Sequence, residues 1–301
     1  MFALVKFTSR KFQLQGFILA VITLALGIGC DRGASNALVE LDQARGLAAE
    51  LRVQFTKSAD ASNRSVMADT DEASIGFAND ARQSTQTVES DVAALTPLLQ
   101  SLGFPDELRI VEQFKNHFAE YRELDGRILA LAVENTNLKA QRLSFGPARI
   151  AADGFRDALG TIVPGVAAKN RCHVEGLAAN AVLAVREIQV LQAPHIAEAD
   201  DATMTRMEKE MADLETKARD AFHELSGLAA PEASASVSAA QAALDQFASA
   251  SRELVALSRK NTNVRSLDLS LRVKPPLTAA CDDALRTLED ALAKEGNKAT
   301  R

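Results

Sequence analysis

The residues with the most binding chemistry occur twice, at one spacing. Asn135, Lys139 and Arg142 lie four and three residues apart; Asn261, Arg265 and Asp268 repeat that spacing 126 positions later. Asn135 sits four residues after Leu131 and three before Leu138, and Asn261 stands in the same way between Leu257 and Val264. In one helical phase both amides fall on an apolar seam. A seam amide with a cation one turn on can line an inter-helix pocket and hold a carboxylate. The competing role is structural: a buried Asn hydrogen-bonded across a bundle fixes register, and the cation is a solvated face. Arg142 and Asp268 occupy equivalent places with opposite charge. If both units bind something, they differ there; otherwise both charges reach water.

Other chemistry is sparse. His117, His173, His195 and His223 fall on different segments with no i,i+4 pair, and the chain carries no His-Glu-x-x-His or Cys-x-x-Cys spacing. It has no Gly-rich phosphate loop and no Gly-x-Ser-x-Gly. The expectation is a non-enzyme with no cofactor and no metal. After Cys30 the remaining cysteines are Cys172 and Cys281. Counting helix lengths at 1.5 Å per residue separates them by roughly 30 Å, so two unpaired thiols on apolar faces are expected rather than a disulfide.

The elements that position these residues are themselves duplicated. Val133-Glu134-Asn135-Thr136-Asn137-Leu138 returns as Arg259-Lys260-Asn261-Thr262-Asn263-Val264. At the same offset Pro105 matches Pro231, Val111 matches Val237, Tyr121 matches Phe247, Leu131 matches Leu257, and Asp157-Ala158-Leu159 matches Asp283-Ala284-Leu285. A constant offset over so many positions marks a repeated structural unit. Trp is absent, Tyr121 is the only tyrosine, and Gly and Pro number 15 and 8. With Ala, Leu, Glu, Gln and Arg dominant, that composition is all-helical.

Period-3.6 seams predict helices over about 35–66, 71–102, 105–145, 148–191, 197–228, 231–273 and 277–294. The Ser-rich stretch 58–64 weakens the first. Gly146-Pro147 ends the third, Pro164-Gly165 kinks or briefly breaks the fourth, Ala193-Pro194-His195 turns into the fifth, and Lys274-Pro275-Pro276 breaks the sixth. The expected fold is all-α: two tandem up-down four-helix bundles joined through a long helix, over residues 30–163 and 164–301.

Residues 1–29 read as a signal peptide. Lys6, Arg10 and Lys11 form a basic head, and residues 16–29 are an apolar run of 14. The run ends Leu26-Gly27-Ile28-Gly29-Cys30, which resembles a bacterial lipobox with Gly27 where Leu is usual. That resemblance implies lipidation at Cys30 and anchoring to a membrane on the periplasmic side of a bacterial envelope. Loss of the three leader cations takes the net charge from −6 to −9. An acidic chain argues against nucleic acid as a partner, whose phosphates demand a basic footprint.

Around Glu134-Asn135-Thr136-Asn137-Leu138-Lys139-Ala140, Leu143-Ser144-Phe145-Gly146-Pro147 and their repeat, the chain resembles the four-helix-bundle sensor domain of methyl-accepting chemotaxis receptors. The resemblance implies a periplasmic sensor, here in tandem duplicate and without the HAMP linker or signalling domain. It also implies a small-molecule ligand, a carboxylate or amine, and a membrane receptor or kinase as partner. The other reading is a structural envelope lipoprotein whose bundle faces dock other proteins.

Overall fold

The computed structural model describes the backbone of residues 10–299 and the side chains of residues 35–298. Residues 1–29, which the sequence pattern reads as a signal peptide, and Cys30 lie outside the residues whose side chains are described. The fold is all-α, with no strand among the described residues. Helix α1 spans Arg10–Met67, α2 Asp71–Leu102, α3 Pro105–Glu134 and α4 Thr136–Leu143. A five-residue π-helical turn, Ser144–Ala148, leads into α5, Arg149–Ile162. After a break come α6, Arg171–Ala197, then α7, Asp201–Leu228, and α8, Ser234–Lys260. Helix α9, Thr262–Asp268, a second π-helical turn, Leu269–Val273, and α10, Lys274–Ala299, complete the chain.

Local chemistry sets the boundaries. The Thr70 hydroxyl caps α2 by accepting from the Ala73 N–H at 3.1 Å. At the other end of α2, Gly103 takes φ 67, and Phe104 N–H reaches back to the Leu99 carbonyl at 3.1 Å. This is a Schellman closure, which needs a residue without Cβ strain. Asp200 caps α7 through the Thr203 N–H. Proline supplies the first turn of α3 and of the 3₁₀ segment Pro231–Ala233 ahead of α8.

The chain divides into two compact units, neither of them a continuous half of the sequence. One holds the chain up to Ala59, Ala81–Arg122 and Pro276 onward; the other holds Asp60–Asp80 and Glu123–Pro275. The core of the first unit joins Leu41, Leu51 and Phe55 of α1, Val88, Leu95 and Leu99 of α2, and Phe114 and Tyr121 of α3. Its fourth wall is α10, through Cys281, Leu285, Leu288 and Leu292. Phe55 meets the rings of Phe114, Phe118 and Tyr121 edge-on at 5.1–6.2 Å between centroids. Each such side chain, once buried, contributes about 1.5–3 kcal/mol. Arg52 bridges α1 to α10 through Asp282 at 3.0 Å and Glu289 at 2.8 Å.

The core of the second unit packs Phe155, Leu159 and Ile162 of α5 against Val174, Val185 and Ile188 of α6, Leu214 and Phe222 of α7, and Leu244 and Phe247 of α8. The fourth helix of each repeat therefore completes the core built by the other repeat. This corrects the boundaries 30–163 and 164–301, which give each repeat its own fourth helix. The reason is in the packing residues: Phe155, Leu159 and Ile162 stand at the offset of Cys281, Leu285 and Leu288. The two apolar faces are equivalent by sequence, so the apolar pattern alone does not say which core each one completes.

Other expectations change for local reasons. The first helix does not weaken at 58–64: Ser58, Ser62 and Ser65 are buried in α1 with hydrogen-bond partners on other segments of their own units. Pro147 does not stop its helix but sits in the π-helical turn. Pro194 lies inside α6, which runs to Ala197. Lys274-Pro275-Pro276 does not break its helix but follows directly on the π-helical turn, with Lys274 N–H donating to the Leu269 carbonyl and α10 continuing from there. The fourth helix, by contrast, takes the short break expected at Pro164-Gly165, through Val163–Gly165 and Ala168–Asn170 with Val166 extended between them. Cys281 is buried and its thiol is pushed up to about 12 by burial, helped by Glu120; Cys172 is free and exposed, not on an apolar face.

Candidate functional site

The repeated Asn-Thr-Asn motif builds a crossing of two chain segments within the second unit. Asn135 ends α3 with φ 49 and ψ 40, and Asn261 ends α8 with φ 55 and ψ 36. Both are left-handed, a conformation that Asn tolerates better than other side-chain-bearing residues. By sequence spacing both amides belong on continuous helical seams. They are buried, but as the residues at which the helices turn.

Just past each turn a new helix begins, and its first N–H groups have no acceptor within their own helix. The two helices cap each other. Thr136 N–H donates to Thr262 Oγ1 at 3.1 Å, and Thr262 N–H donates to Thr136 Oγ1 at 3.2 Å. Asn137 N–H donates to Asn263 Oδ1 and Asn263 N–H to Asn137 Oδ1, both at 3.1 Å. The side chains extend the exchange: Asn137 Nδ2 donates to Asn261 Oδ1 at 2.8 Å, and Asn263 Nδ2 to Asn135 Oδ1 at 2.9 Å. Asn137 Nδ2 also reaches the Ile196 carbonyl at 2.6 Å, and Asn261 Nδ2 the Glu198 carbonyl at 2.7 Å. The partners are related by the repeat itself, so a local pseudo-two-fold axis passes between Thr136 and Thr262.

The cations that follow the amides have unlike surroundings. Lys139 Nζ donates to the Glu134 carbonyl at 2.7 Å. Arg142 pairs with Asp71 at 2.8 Å. Burial pushes the Asp71 carboxyl up, but Arg142 and then Asn135 outweigh it and hold it below its ordinary value. Asp268 pairs with Arg272 at 3.0 Å. Arg265 is exposed and makes no side-chain hydrogen bond or ion pair among the described residues. The seam also ends earlier than its periodicity predicts. Phe145 and Leu271, equivalent positions in the two π-helical turns, are 66% and 65% exposed. A left-handed residue followed by a π-turn shifts the helical phase, so the apolar stripe of α3 and α8 does not continue through them.

Beside the crossing lies an open groove of about 840 Å³. Its walls are Arg127, Ala130 and Leu131 on α3 and the segment from Asn261 to Arg272, including Arg265 and Asp268. Asn261, Arg265 and Asp268 are thus gathered at one site; Lys139 and Arg142 are not part of it. Arg127 was not singled out by motif reasoning. The offset could have found it, since its repeat partner is Glu253, a reversal of charge.

Two buried polar clusters belong to the scaffold. His195, fully buried, joins Ser258 through Nδ1 and Glu208 through Nε2, both at 2.9 Å. Arg259 holds the same carboxylate at 2.5 and 3.0 Å. Hydrogen bonds from Arg259 and then His195 lower the Glu208 carboxyl against the opposing effect of burial. The residue types are those of a nucleophilic triad. The Ser258 hydroxyl, however, is fully buried and donates to the His195 carbonyl at 2.9 Å. In the second cluster Lys274 pairs with Asp125 at 2.8 Å and donates to Ser62 at 2.6 Å. Burial pulls the Lys274 ammonium down, with Asp125 opposing. The repeat places Ala148 and Ser251 at the positions of Lys274 and Asp125, so this pair is not duplicated.

No group of three or more His, Cys, Asp or Glu able to hold a metal occurs among the described residues, and no helix of the described residues is long and apolar enough to cross a membrane. Comparison with protein-family models, with curated proteins and with solved structures yields no match to this chain.

Proposed function

We propose that the chain is an exported, lipid-anchored, non-catalytic binding module of the sensor kind, acting through a membrane partner. The observation that carries the reading is the groove of about 840 Å³ beside the crossing, a volume in the range of small-molecule sites. It gathers three residues that sequence spacing had marked for binding. The leader and Cys30 support export and anchoring, and the resemblance to chemoreceptor sensor domains supports a signalling role. A ligand between α3 and the segment after Asn261 would bear on the crossing itself, because Asn261 belongs to both.

The test is a thermal-shift screen against small carboxylates and amines, joined to lipid labelling of wild type and Cys30→Ala. Binding raises the melting temperature by linkage, and the substitution abolishes labelling. A flat response across both ligand classes would instead favour a structural envelope lipoprotein. The exposed Phe145 and Leu271 would then be docking contacts.

A further inference from the structure

We infer that the groove beside the crossing takes a free amphipathic carboxylate, and that only one of the two pseudo-symmetric pairings of α3 or α8 with the other repeat's segment provides the site. This rests on the reading of the chain as a binding module and names the class of its ligand. Arg127 on α3 and Arg265 on α9 stand on the two elements that bound the groove. Neither guanidinium has an ion-pair or hydrogen-bond partner among the described residues, although the chain as a whole is acidic. Between them the lining is apolar: Leu131, Val264, Leu267 and Leu271, with Leu267 38% and Leu271 65% exposed. Asp268 also lines the groove, but its ion-pair partner Arg272 lines it too, so the two together add no net charge. Two uncompensated guanidinium groups over an apolar bed complement an anionic head on an apolar body.

The pseudo-symmetric counterpart of this site, on α8 and α4, supplies an internal control. At the places of Arg127 and Arg265 it carries Glu253 and Lys139. The Lys139 ammonium is tied to the Glu134 carbonyl, and Arg142, at the place of Asp268, is tied to Asp71. The equivalent positions thus offer one acid and no free guanidinium. The functional asymmetry between the repeats falls on Arg127 and Glu253, not on Arg142 and Asp268.

The test uses the processed chain in neutral nanodiscs, with empty nanodiscs as the blank, and titrates octanoate below its micellar range. Octanoate is expected to bind at one site per chain. Arg127→Gln and Arg265→Gln should each weaken it about tenfold, and Lys139→Gln should leave it unchanged. These arginines are exposed, so the variants keep their fold, and Arg265→Lys should recover part of the affinity. Octyltrimethylammonium, equal in chain and opposite in charge, should not compete. Competition by that cation, or unchanged affinity in both arginine variants, would overturn the inference. So would binding to phosphatidylglycerol vesicles without binding of octanoate, which would assign the groove to a bilayer lipid. Failure of octanoate alongside stabilisation by some other metabolite would reject the ligand class and leave the binding module standing. Failure of octanoate and of the whole screen would reject both.

Discussion

Asn137 should be the most costly side chain to remove from the crossing. It makes three hydrogen bonds: Nδ2 to the Ile196 carbonyl, Nδ2 to Asn261 Oδ1, and Oδ1 from the Asn263 N–H. Its pseudo-symmetric counterpart Asn263 makes two, to Asn135 Oδ1 and from the Asn137 N–H. Asn137 is 5% exposed, whereas Asn263 is half-buried. Truncation to alanine leaves each partner unsatisfied at about 1 kcal/mol where water cannot enter. Asn137→Ala should therefore cost about 3 kcal/mol. Asn263→Ala should cost about 1–2 kcal/mol, because water reaches part of its surroundings. Urea unfolding followed by far-UV circular dichroism measures both on one scale, provided the slope with denaturant is unchanged. A loss below 1 kcal/mol for Asn137→Ala, or a larger loss for Asn263→Ala, would show that reciprocal capping does not hold the crossing together.

Three further outcomes follow from the structure. A protease site placed between Val166 and Asn170 should leave the two pieces co-eluting from a sizing column after cleavage, since each repeat completes the other's core; separation without denaturant would contradict the exchange. Lys274→Met strands the buried Asp125 carboxylate and should cost about 3 kcal/mol, while Lys274→Met with Asp125→Leu should lie closer to wild type in the same urea assay. Glu208 is held below its ordinary value of 4.5, so the unfolded chain takes up this proton first as pH falls. Its stabilising contribution is complete above about pH 4.5 and lost as pH falls through the folded value. Glu208→Gln should flatten that part of the melting-temperature profile, and an unchanged acid limb would refute the assignment.

Much of the helical pattern was legible because apolar spacing reports burial directly. Val111, Phe114, Phe118, Tyr121, Leu124 and Ile128 are all buried as their phase requires. The break at Asn135 was not legible, since Leu131, Asn135 and Leu138 keep helical spacing straight through a residue that leaves the helix. Only the backbone dihedral distinguishes an Asn that packs from one that turns. The exchange of fourth helices was hidden for a different reason. A duplicated sequence gives α5 and α10 matching faces, and periodicity says that a face is apolar without saying which core it completes. At the groove, Asn261, Arg265 and Asp268 could be marked by repetition. Arg127 lies a full helical turn before its apolar neighbours on α3, outside the motif, and only the fold brings it to Arg265.

The exchange also bears on how the chain is made. The first three helices emerge from synthesis with Phe55, Phe114 and Tyr121 in place but without the helix that closes over them. That helix carries Asp282 and Glu289, which lie 230 and 237 residues beyond their partner Arg52. Contacts of such separation are slow to form, and the open apolar face stays exposed to other chains until α10 is translated. A chain that stops near residue 275 would keep the fourth helix of its second unit and lack that of its first. Its defect would be aggregation of the N-terminal helices, far in sequence from the residues removed.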